Sequence, residues 1–102
     1  MSVFVIWQFR FPSENLERGV NVTKAIWRDM LSFPGYEHHE IIQDLDDPGR
    51  LLVVSKWRSR EDADRVREQY ASSPNASLRD ALVSERPLRF VGQELPTQDG
   101  NL

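Results

Sequence analysis

Apolar positions recur along this chain with two different periods, and the switches between them mark its elements. From Val3 to Phe11 β-branched and aromatic residues dominate, which predicts a strand. Alternation sends Val3, Val5, Trp7 and Phe9 to one face, and Phe4, Ile6 and Gln8 to the other. Pro12-Ser13 interrupts this pattern. A stripe of Leu16, Val20, Thr23, Trp27 and Met30 follows, spaced by fours and threes as a helix to about Ser32 requires. Gly19 weakens that helix by roughly 1 kcal/mol relative to alanine, and Pro34-Gly35 ends it. A second strand is predicted over Tyr36 to Asp44, then a turn at Asp47-Pro48-Gly49-Arg50. Proline at the second turn position and glycine at the third suit a type II turn, in which the glycine takes a positive φ.

Leu51 to Trp57 reads as a third strand with an apolar centre. Ser59 then stands three residues before Asp62, an N-cap pattern in which hydroxyl and carboxylate can bond the free amides of the first turn. The helix it opens runs from about Arg60 to Tyr70, with Ala63, Val66 and Tyr70 inward. Ser73-Pro74 repeats the signal, a cap followed by proline at the first helical position. That short helix presents Leu78, Ala81 and Leu82, and Leu88 to Leu95 forms the last strand. The order β-α-β-β-α-α-β predicts an α+β fold, the ferredoxin-like split β-α-β arrangement with helices on one face of a four-stranded antiparallel sheet. Residues 1–95 make the domain and 96–102 a polar tail. The other sheet face then carries Phe4, Ile6, Leu52, Val54 and Val91, more apolar surface than a monomer leaves in water. A homodimer packed sheet to sheet is expected.

Composition narrows the functional classes. The 102 residues suit one domain, and a net charge of −3 argues against a phosphate-backbone partner. Arg58, Arg60, Arg65 and Arg67 alternate with Glu61, Asp62, Asp64 and Glu68, which on a helix gives ion pairs along a wet face. No nucleic acid is expected, and the aliphatic third strand lacks the exposed aromatics of an RNA-binding sheet. Cysteine is absent, so disulfides, thiolate metal sites and cysteine nucleophiles are excluded. No apolar run approaches the roughly 18 residues of a membrane span, and the first residues do not read as a signal peptide. A cytoplasmic protein with no membrane partner is the simplest expectation.

Several motifs carry a resemblance: Pro34-Gly35 before the second strand, Asp47-Pro48-Gly49 in the hairpin, Trp57-Arg58-Ser59 before the second helix, and Ser73-Pro74 before the third. Together they make residues 2 to 95 resemble the antibiotic biosynthesis monooxygenase family, whose fold is the dimeric α/β barrel. One branch of that family oxidises anthrones or quinols with oxygen alone, using no metal or flavin. The resemblance implies catalytic roles for Trp57 and Arg79 in a pocket, with Trp7 and Tyr70 binding substrate, and no cofactor or metal. A flat phenolic compound needs an apolar slot, and a guanidinium stabilises its phenolate or carbanion. An asparagine and a tyrosine of that branch fall on Val53 and Ala63. A second branch degrades haem with an asparagine, a tryptophan and an axial histidine. Here Trp7, Val66 and Arg79 occupy those places, so iron has no proximal ligand. Where a common variant of the family has a histidine late in the second helix, this chain has Tyr70.

Plainer roles compete with these. The tryptophans supply buried area in any core, and Arg79 has Asp80 and Glu85 within reach along the chain. Tyr70 can place its ring inward and its hydroxyl in water. His38 and His39, adjacent on a strand, point to opposite faces and cannot chelate one ion together. His38 shares a face with Glu40, two ligands where three or four are usual. An imidazole inside the pocket would be a proton acceptor near neutral pH. Two functions follow as expectations. One is a small cofactor-independent monooxygenase acting on an aromatic, anthrone- or quinol-like compound. The other is a non-catalytic dimer that binds a small apolar or aromatic molecule or assists a pathway enzyme.

Overall fold

In the computed structural model of the protein, residues 2–96 are described. Both periods produce the layers they predict. Strand β1 spans Val3–Arg10 and helix α1 spans Leu16–Met30, entered through a 3-10 turn at Ser13–Asn15. Then come β2 (Tyr36–Gln43), β3 (Arg50–Trp57), α2 (Arg60–Tyr70), α3 (Pro74–Leu82) and β4 (Leu88–Gly92). The strands pair antiparallel in the order β2-β3-β1-β4, an α+β ferredoxin-like sheet that is not closed. The tail from residue 97 lies outside the described residues. Among those described, no helix is long and apolar enough to cross a membrane.

Between sheet and helices lies a dry layer. Val5, Phe9, Leu51, Val53 and Trp57 from the sheet meet Val22, Ile26, Trp27 and Met30 of α1, Ala63 and Val66 of α2, and Leu82 of α3. The buried stripe of α1 also includes Gly19 and Thr23, whereas Leu16 and Val20 sit half-buried at its edge. On the opposite sheet face, the pairing aligns Phe4, Ile6 and Gln8 with Lys56, Val54 and Leu52 respectively. His38, Glu40 and Ile42 extend this face on β2, and Leu88 and Phe90 on β4.

Three local expectations change. Val91 pairs with Val5 and so faces the helices, and Phe90 takes the open-face position opposite Ile6. The adjacent apolar residues Phe90-Val91 give β4 no alternation, so its phase comes only from its pairing with β1. In α3, Ala76 and Leu82 are buried, while Leu78 and Ala81 are exposed. An arginine, Arg79, holds the inward position between them, and a search for apolar periodicity passes over it. The hairpin turn is closed by the Arg50 N–H donating to the Asp47 carbonyl at 2.9 Å, but Gly49 does not adopt the positive φ of a type II turn. Among the described residues only Gly35 does, with φ 89. Gly49 instead permits a close approach: a Cβ there would stand 2.5 Å from the Phe11 carbonyl oxygen, beside the 2.8 Å bond from Phe11 N–H to the Gly49 carbonyl.

Both caps form. Ser59 Oγ accepts from the Asp62 N–H, and Ser73 Oγ from the Ala76 N–H, each at 3.1 Å. The Asp62 carboxylate does not bond a first-turn amide as expected. It is buried and receives Arg58 Nε at 2.9 Å, Arg65 Nη1 at 2.8 Å and the Ser59 hydroxyl at 3.1 Å. Burial raises its pKa, but these bonds outweigh burial and hold it below the usual carboxylate range.

Candidate functional site

Where β1, β3 and β4 meet the α2–α3 corner, the packing leaves a cavity of about 230 Å³. Val5, Trp7 and Trp57 form its sheet wall, Ile26, Trp27 and Met30 its α1 wall, and Ala63, Val66 and Tyr70 its α2 wall. Arg67, Arg79, Asp80 and Arg89 supply the charge. All four residues singled out from sequence, Trp7, Trp57, Tyr70 and Arg79, line this one space. An open groove shares Trp7, Arg67, Arg79, Asp80 and Arg89 with it and continues along Val83 to Leu88.

Each side chain is held differently. Trp57 ends β3 and is buried; its Nε1–H donates to Ser55 Oγ at 3.0 Å, and Ser55 in turn donates to the Val5 carbonyl at 2.9 Å. Its indole N–H is therefore satisfied internally, and Trp57 offers the cavity only hydrocarbon surface. Trp7, half-buried, stacks on Phe9 with centroids 5.7 Å apart and planes 8° from parallel. The Arg79 guanidinium lies 5.4 Å from the Trp7 ring and 5.0 Å from Phe9, a cation–π arrangement. Its side chain is only 15% exposed and pairs with Asp80 at 3.0 Å. The Tyr70 hydroxyl does not lie free in water: it donates to Asp29 Oδ2 at 2.6 Å. Burial first, then this carboxylate, raises its pKa.

Arg89 is the residue that sequence reading missed. It pairs with Trp7 across β1–β4, lies 5.7 Å from that ring, and reaches Asp64 on α2 through Nη2 at 3.2 Å. No pattern within β4 marks it, because only the pairing with β1 places Arg89 on the Trp7 side. The histidines do split between faces, but neither lines the cavity. His38 is exposed on the open face, 3.4 Å from Glu40. His39 lies on the helix side against Trp27, with Nδ1 2.6 Å from the Tyr36 hydroxyl. Burial, then the neighbouring His38, lowers its pKa. Among the described residues no three His, Asp or Glu side chains gather as a metal site would need.

A family model described as antibiotic biosynthesis monooxygenase matches residues 2–71. The chain belongs to this family. The matched span covers β1 through α2 and so includes Trp7, Trp57 and Tyr70, while Arg79 and Arg89 lie beyond it. Among solved structures, the cofactor-independent oxygenase SnoaB from Streptomyces nogalater, in a mutant form, superposes with a TM-score of 0.83 at 16% identity, covering 94% of this chain and 95% of that one. Rv0793 from Mycobacterium tuberculosis gives 0.77 at 20% identity, covering 95% and 98%. A conserved protein from Methanosarcina mazei Go1 gives 0.77 at 15%, covering 93% and 94%. At these identities the likeness is one of fold. None of the curated proteins matches. Within the family fold, the cavity described here lies wholly on the helix side of the sheet.

Proposed function

We propose that this family member is a small monooxygenase that needs no cofactor and oxidises an aromatic, anthrone- or quinol-like compound in the Trp7–Trp57 cavity. Family membership supports a monooxygenase-type role. The observation that carries the substrate class is the convergence of Trp7, Trp57, Tyr70 and Arg79 on one apolar space. Its volume is below the roughly 300–1,000 Å³ of sites for drug-sized ligands, which favours a compact, flat ring system. Trp57 and Trp7 provide faces for stacking. Arg79, always charged and largely withdrawn from water, lowers the cost of ionising a phenol or keto oxygen beside it.

The ionised ring is then electron-rich enough to react with O₂ directly. For an anthrone the balance is complete without a further reductant. The methylene carbon loses two hydrogens and four electrons. O₂ accepts the four electrons; one oxygen becomes the new ketone, and the other leaves as water with the two hydrogens. Oxygen uptake by purified, metal-free protein with a panel of anthrones and quinols tests this reading. Arg79→Ala is expected to slow uptake at least tenfold, and an unchanged rate would remove its assigned role.

A second reading has its own observation. Among the described residues the cavity wall holds no histidine, asparagine or glutamine, and the Tyr70 phenol is committed to Asp29. Among the described residues no neutral side-chain proton acceptor lines the cavity, as suits a protein that binds a ring compound without transforming it. Ring binding without oxygen uptake would select this alternative.

In either case we propose a homodimer. Leu88 and Phe90 are 59% and 62% exposed on the open sheet face, next to the half-buried Phe4, Ile6, Leu52 and Val54. A second copy laid on this face would dry it. Sedimentation at micromolar concentration should report a dimer, and a stable single chain would refute it.

A further inference from the structure

The cavity wall has a charge surplus that its aromatic lining does not explain. Three arginines, Arg67, Arg79 and Arg89, face a single aspartate, Asp80, in a chain whose net charge is −3. Arg89 is the most withdrawn from water of the three. Its only carboxylate, Asp64, is shared with Arg60 at 3.6 Å, and its side chain is just 13% exposed. Among the described residues, Arg89 Nε is the one buried side-chain nitrogen or oxygen with no hydrogen-bond partner. A buried N–H left unpaired is costly, and more so on a charged group. Burial, with Arg67 and Arg60 nearby, lowers the pKa of Arg89 against the opposing pull of Asp64. Two guanidiniums also flank the Trp7 ring, Arg79 and Arg89, so a ring stacked on Trp7 brings its substituents to cationic groups.

We infer that the cavity takes a ring compound bearing an ionised carboxylate, and that Arg89 is the residue that binds it, with Arg67 reinforcing the attraction. This rests on the aromatic-cavity reading above and specifies its ligand. With Nε buried against the protein and Nη2 on Asp64, the planar guanidinium presents Nη1 to a carboxylate oxygen. Arg79 is left to the ring oxygen, so the two arginines have separate tasks.

The test compares two probes of one ring system, anthraquinone-2-carboxylate and neutral 2-(hydroxymethyl)anthraquinone, by tryptophan-fluorescence titration of the full chain. The carboxylate should bind at least tenfold tighter, and that advantage should shrink with added salt. Arg89→Met should abolish the advantage, bringing the two probes within about twofold of each other, with folding checked by circular dichroism. Arg67→Glu, at an exposed position, should cut the advantage about threefold even where Arg89→Met fails to fold. Equal affinity of the two probes for the unaltered protein would overturn the inference and leave the aromatic cavity standing. Failure of both probes to bind would overturn the cavity reading itself. A carboxylate advantage that survives in folded Arg89→Met would overturn the role of Arg89.

Discussion

The two faces of this sheet are built from the same strands, yet they differ in what completes them. On the helix side, Val5, Phe9, Leu51, Val53 and Trp57 are all buried within one chain. The cavity is the gap in that layer, and its polar groups come from α2, α3 and β4. On the other side Phe4, Ile6, Leu52 and Val54 stay half-buried, and Ile42, Leu88 and Phe90 are exposed. Polar Gln8, His38, Glu40 and Lys56 are mixed among them. One face is finished by its own helices and can hold a site; the other is left open by them.

The largest expected contrast sets Phe9 against Phe90. Phe9→Ala should lower unfolding free energy by about 3–5 kcal/mol, since it opens a cavity in the closed layer, and chemical denaturation measures it. Phe90→Asp should change the stability of a single chain by less than about 0.5 kcal/mol, as surface substitutions do. It should weaken self-association at least a hundredfold in sedimentation. If Phe90→Asp unfolds the chain as Phe9→Ala does, the two faces are not independent.

A middle-sized effect concerns the caps that hold the helix layer. Ser59→Ala removes the acceptor for the Asp62 N–H and one of the bonds on the Asp62 carboxylate. A loss of about 1 kcal/mol is expected by denaturation, with no change in dimer affinity. Altered association would show that α2 also shapes the open face.

The smallest effect is a pH dependence carried by His39, which separates the histidine on the closed side from its exposed neighbour. Its pKa is lowered in the folded state, so below its ordinary value, about 6.5, the unfolded chain binds the proton more readily. The resulting stability is full above that pH and is lost as pH falls toward the folded-state value. Between pH 7.5 and 5.5 the melting temperature should drop by a few degrees, and His39→Gln should flatten that part of the curve. A curve unchanged by His39→Gln would mean that the closed side does not desolvate this imidazole.

Much of this was legible in the chain. The strand and helix order, both serine caps and the apolar front and back of β1 follow from local spacing, because those patterns depend on neighbours within a few residues. Strand β4 was not readable in phase, for two bulky apolar residues sit side by side and only pairing with β1 decides which is inward. Arg79 on the inward line of α3, and the close approach that Gly49 allows Phe11, likewise involve partners more than 30 residues away.

What the sequence by itself determined is the layered order and the aromatic character of the cavity, since periodicity and capping are short-range. Only the tertiary structure decided that Trp7, Trp57, Tyr70 and Arg79 share one cavity, and that Arg89 joins them with an unpaired Nε. That convergence depends on strand register and helix docking, which no local pattern encodes.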